Sequence, residues 1–190
     1  MAETQSIKEN LAFVRDATDR SATVHIPSIY LLWAAICLVG FPLVDYVGPG
    51  SWTIAAYWYI AGPVGGLLTW WLASRARHRI GQADRELGRR FALHFLAFAV
   101  AGTLGYGMVA AGQLSWAGFT SLWILLLAFT YFLAGLYLER RLMPVSLVLV
   151  AGYVTALLVP AYGFTAMGVL VAAALSLQAY LGTRGQHAAN

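Results

Sequence analysis

From residue 28 to residue 181 the chain alternates long apolar stretches with short polar joints. A helix needs roughly 20 apolar residues to cross a hydrocarbon core. Six stretches approach that length: 28–48, 54–73, 91–112, 116–137, 142–160 and 162–181. The joints VGPGSW, AGQLSW, ERRLMP and VPAYGF combine Gly, Pro or small polar residues with flanking aromatics, the usual punctuation between helices. The pattern predicts an all-α, polytopic membrane protein with six transmembrane helices. It divides into an N-terminal amphipathic helix over 1–27, a transmembrane domain over 28–183 with a basic insert at 74–90, and a tail over 184–190.

Composition agrees. Of the 190 residues, 60% are hydrophobic and 11% charged, whereas a soluble domain carries about 25% charged residues. The first 27 residues are polar and mixed in charge, without the basic start and apolar core of a signal peptide. The single cysteine, Cys37, has no second cysteine with which to pair or build a redox motif.

Charge placement predicts orientation. Lys8, Arg15 and Arg20 precede the first span. Arg75, Arg77, Arg79, Arg85, Arg89 and Arg90 lie between the second and third. Arg140 and Arg141 lie between the fourth and fifth, and Arg184 follows the sixth. With six spans, all twelve basic residues fall on one side, which the positive-inside rule assigns to the cytoplasm. Both termini are then inside a bacterial inner membrane, and the net basic charge records topology rather than nucleic-acid binding. Trp52, Tyr57, Trp58 and Trp116 fall near the outer interface. Trp33, Trp70, Trp71 and Tyr137 fall near the inner one, as amphipathic rings favour.

Spans two, four and six begin alike, with Thr53, Thr120 and Thr165, and each reaches an arginine about one span length later: Arg75, Arg140 and Arg184. Two readings stand. One is a threefold hairpin repeat. The other is that any such hairpin has a small outer turn and an inner arginine.

Two cytoplasmic pieces carry helical stripes. Ile7, Leu11, Val14 and Thr18 recur at spacings of 4, 3 and 4, and so do Ala76, Ile80, Ala83 and Leu87 in the arginine-rich insert. Each is read as a solvated juxtamembrane helix or, alternatively, as half of a cytoplasmic cap in which Ile7, Leu11 and Val14 pack on Ile80 and Leu87.

Candidate chemistry is sparse. Asp45 is the only charged residue between Arg20 and Arg75. A carboxylate at a helix C-terminus is opposed by the helix dipole, and an intramembrane acid facing a cavity marks a functional site. Asp45 lies where its span ends, so we favour an interfacial position; with Tyr46 it forms the candidate polar site. His25, His78, His94 and His187 show no metal-ligand spacing and read as boundary residues, although His25 and His94 both begin spans. No catalytic, metal or cofactor-binding residue is assigned. Small residues at Ala97, Ala101 and Gly105, and at Gly168, Ala172 and Ser176, recur every four positions, the spacing that lets membrane helices approach closely.

The stretch IKENLAFVRDATDRS followed by YLLWAAICLVG resembles a group of small bacterial inner-membrane proteins with a cytoplasmic helix ahead of several spans. The resemblance covers roughly the first 45 residues. In layout alone, the six-span hairpin plan is similar to the acid-resistance HdeD family. It is also similar to the substrate-binding subunits of vitamin transporters, whose AxxxA motif sits on the first span; here the matching Ala97 and Ala101 fall on the third. None of these carries a functional residue over. The expected function is a non-enzymatic assembly or regulatory module that needs no cofactor. Its partners would be the lipid bilayer and either a second copy or a membrane partner protein. The alternative is a transporter or channel subunit for a small solute.

Overall fold

The computed structural model describes residues 26–80, 85–159 and 161–188. Ile7, Leu11 and Val14 of the expected cap, and His25, lie outside them. The described residues are helical and contain no strand. The helices are α1 (Pro27–Gly40), α2 (Pro42–Val47), α3 (Trp52–Ile80), α4 (Arg85–Ala110), α5 (Trp116–Tyr137), α6 (Met143–Leu158) and α7 (Gly163–Ala188). A single 3-10 turn at Arg140–Leu142 precedes α6.

Local chemistry sets the boundaries. α1 and α2 form one stretch interrupted at Phe41, because Pro42 has no N–H to continue the helical ladder. Gly48 (φ 81°) stops α2. α4 ends in the paired bonds of a Schellman motif: Gln113 N–H donates to the Met108 carbonyl and Gly112 N–H to the Val109 carbonyl, both at 2.9 Å, with Gly112 at φ 71°. The Ser115 hydroxyl starts α5 by accepting the Gly118 N–H at 3.1 Å.

Four segments are long and apolar enough to cross a membrane: Pro27–Val47, Gly88–Ala110, Trp116–Tyr137 and Gly163–Thr183. The remaining two helices differ from the sequence expectation in instructive ways. α3 has the length, but its Trp, Tyr, Gly and Pro content makes it less apolar than those four. α6 has 16 residues, which at about 1.5 Å per residue falls short of a hydrocarbon core of about 30 Å. The basic insert does not stand apart as a helix of its own. Residues 74–80 are the last turns of α3 and 85–90 the first turns of α4, so Ile80 and Leu87 belong to two different helices.

The core is built by α1, α5, α6 and α7. Ile124, Leu149, Met167, Val145 and Val171 are its largest fully buried side chains. α7 is central, packed on α1, α2 and α6, while α5 packs on α6. Gly168 permits the α1–α7 approach: a Cβ there would stand 3.0 Å from Pro42 and 3.3 Å from the Cys37 carbonyl oxygen. α3 and α4 sit at the periphery. α3 rests on α1 and α2, and α4 rests on α5.

Polar bonds tie the helices where apolar contact is thin. The Trp33 indole N–H donates to Thr69 Oγ1 at 3.0 Å, and the Tyr57 hydroxyl to the Ile36 carbonyl at 2.7 Å, holding α3 to α1. The Tyr30 hydroxyl donates to Glu139 at 3.2 Å, joining α1 to the end of α5. Arg75 lies over the Trp71 ring at 5.5 Å, a cation–π contact at the arginine end of the bundle.

Candidate functional site

The turn at 48–51 meets the starts of α5 and α7, away from the Arg75 end of α3, and Asp45 lies just ahead of it. Its carboxylate is turned to the start of α7. Oδ2 accepts the Thr165 backbone N–H at 2.6 Å and the Thr165 hydroxyl at 2.7 Å, while Oδ1 accepts the Phe164 N–H at 3.4 Å. These are groups of the first turn of α7, where unpaired N–H donors and the positive end of the helix dipole favour an anion. α7 has no capping side chain of its own, because the chain enters it through VPAYG, which holds no Ser, Thr, Asp or Asn. Tyr162 adopts φ 63° immediately before the helix, a left-handed conformation uncommon for a residue with a Cβ. Asp45, contributed by the first span, supplies the missing cap. Tyr46 is exposed, and its ring meets Tyr162 edge-on at 6.5 Å. The two residues of the candidate polar site are thus brought to the same turn, Asp45 as a cap and Tyr46 at the rim.

The threonines that suggested a repeat all meet this region. Thr165 donates to Asp45. Thr120 donates to the Pro49 carbonyl at 3.3 Å and to the Trp116 carbonyl at 3.1 Å. Thr53 donates its backbone N–H to Ser51 Oγ at 3.3 Å. Segment 45–51 is therefore tied to the first turns of both α5 and α7.

Beside this hub lies a partly open cleft of about 60 Å³ between the first hairpin and α5. Phe41, Trp58, Tyr59, Trp116, Phe119 and Trp123 supply its aromatic lining. Tyr106 of α4 closes one side, edge-on to Tyr59 at 5.7 Å and to Trp116 at 5.6 Å. In the sequence, Trp58 and Trp116 read only as interfacial anchors. Nothing in the spacing links them to Trp123, because the cleft forms from elements that meet only in the fold.

At the opposite end, His94 joins α4 to α5. Its Nε2 lies 2.9 Å from the Thr130 carbonyl oxygen, and its Nδ1 pairs with the Tyr137 hydroxyl. A carbonyl oxygen can only accept, so Nε2 carries the proton; in the neutral ring Nδ1 then accepts from the phenol. This is a helix-to-helix tie rather than a ligand position. Among the described residues, no group of three or more His, Cys, Asp or Glu could hold a metal ion.

Comparison with protein-family models, with curated proteins and with solved structures finds no match.

Proposed function

We propose that the chain is a small, non-enzymatic module of the bacterial inner membrane, crossing six times with both termini on the cytoplasmic side, that works by assembling with a second copy or a partner membrane protein. The observation that carries this reading is the isolation of α4. Only 11% of its apolar window is buried within the chain, against 28–33% for the other three long apolar segments. It packs on α5 and leaves Leu93, Leu96, Val100 and Leu104 exposed. Apart from α5 and the edge-on contact of Tyr106 with Tyr59 of α3, this apolar face is open to lipid or to another protein. The transport reading asks for polar groups converging on a shared cavity; Asp45, the candidate for that role, is engaged with α7.

Photo-crosslinking in native membranes tests the proposal. A photoreactive residue at Leu104 on α4 should give a discrete protein adduct, and one at Leu177, similarly exposed on α7, should give lipid adducts only. Lipid adducts alone at both positions would reject assembly through α4.

A further inference from the structure

The aromatic cleft at the turn end has a chemistry that the assembly reading does not use. Two of its hydroxyl oxygens are already engaged. The Thr120 hydroxyl bonds to the Pro49 and Trp116 carbonyls, and Ser51 Oγ accepts the Thr53 N–H. A guest that requires hydrogen bonds, such as a primary ammonium or a guanidinium, would leave donors unpaired there, which is costly. The rings are set steeply to one another: Trp116 to Phe119 at 80°, Phe119 to Trp123 at 51° and Tyr59 to Tyr106 at 82°. Trp58, Tyr59, Trp116 and Trp123 line the cleft together, and aromatic rings carry a negative potential on their faces that attracts cations. The loops at this end hold no lysine or arginine, and their single formal charge, Asp45, is negative. At about 60 Å³ the cleft is far below the size of a drug-binding pocket of about 300 Å³ or more. It suits one compact head group.

We propose that this cleft is a binding site for a small quaternary ammonium ion. Such an ion has no N–H to satisfy, is weakly hydrated for its charge, and is the guest that boxes of Trp and Tyr recognise. The same chemistry occurs in free choline and in a phosphocholine lipid head.

Equilibrium binding of radiolabelled choline to the full chain in phosphatidylglycerol nanodiscs tests the site. The result expected is saturable binding of one choline per chain. 3,3-Dimethylbutan-1-ol, which has the same shape without the charge, should compete at least about tenfold more weakly. Trp116→Leu should weaken choline binding by a similar factor, whereas Trp116→Phe, which keeps a ring, should retain most of it. Tyr59→Leu is the second probe should Trp116→Leu fold poorly, since Tyr59 is half exposed. Trp70→Leu, at the other end of the bundle, should change nothing. Repeating the titration in phosphatidylcholine nanodiscs separates the sources: loss of choline binding there identifies the lipid head as the occupant, and unchanged binding identifies the free ion. Absence of saturable binding in phosphatidylglycerol, or equal competition by the neutral alcohol, would overturn the proposal.

Discussion

The carboxylate of Asp45 opposes the dipole of α2, whose last turn it occupies, and complements that of α7, whose first turn it caps. The second effect outweighs the first because it comes with direct, charge-assisted hydrogen bonds, which stabilise by about 1.5–3 kcal/mol. Asp45→Ala should therefore lower stability by about 1–3 kcal/mol. Asp45→Asn, which keeps an acceptor oxygen, should lose less than about 1 kcal/mol. Thermal unfolding in detergent checks both, and equal loss for the two variants would mean that capping is not what Asp45 contributes. At this scale the sequence was half legible. The run FPLVDYVGPG put Asp45 at a helix end. Its partner, Thr165, stood out only as one of the three threonines that open spans two, four and six. The pairing could not be read, because no periodicity connects residues 120 apart.

Helices were the most legible elements, since an apolar run bounded by Gly, Pro and aromatics leaves few alternatives. Faces were less so. The small residues at Ala97, Ala101 and Gly105 predicted a contact row on α4, but the packed face is turned slightly from it. Ala97 is exposed and Ala101 only half-buried, whereas Gly102 and Gly105 are buried against Trp123 and Phe119. Large rings on α5 decide which glycines become the contact, and a spacing rule applied to α4 alone does not see them. On α7, likewise, Gly168 and Ala172 are buried while Ser176 is exposed. Gly102→Ala would place a methyl within 1.8 Å of the Trp123 ring as it stands. The indole must move, at an overpacking cost of about 1–3 kcal/mol. Gly107→Ala, on the same helix with nothing within 4 Å, should be neutral or stabilise by up to about 1 kcal/mol. Melting temperatures of the two variants test the register of the α4–α5 interface, and a reversed order would place α4 differently on α5.

For the whole molecule, the placement of the basic residues turns the proposed six-crossing topology into a labelling experiment. In a Cys37→Ala background, Gln113→Cys should react with an impermeant thiol reagent applied to intact cells. Gln82→Cys should react only after permeabilisation. The opposite pattern would invert the orientation. Charge placement suggests the proposed topology, because with six spans every basic residue falls on one side; the arrangement of helices around α7 was not readable, because lipid-facing and protein-facing apolar surfaces are alike in composition. That arrangement has a consequence for biosynthesis. When Asp45 leaves the ribosome, the N–H groups that will receive its charge lie some 120 residues ahead, roughly ten seconds of translation. Until α7 arrives, Asp45 lacks the N–H groups that it caps in the finished chain. A chain truncated before α6 would stay in that state, with an uncompensated charge where the finished protein has a cap.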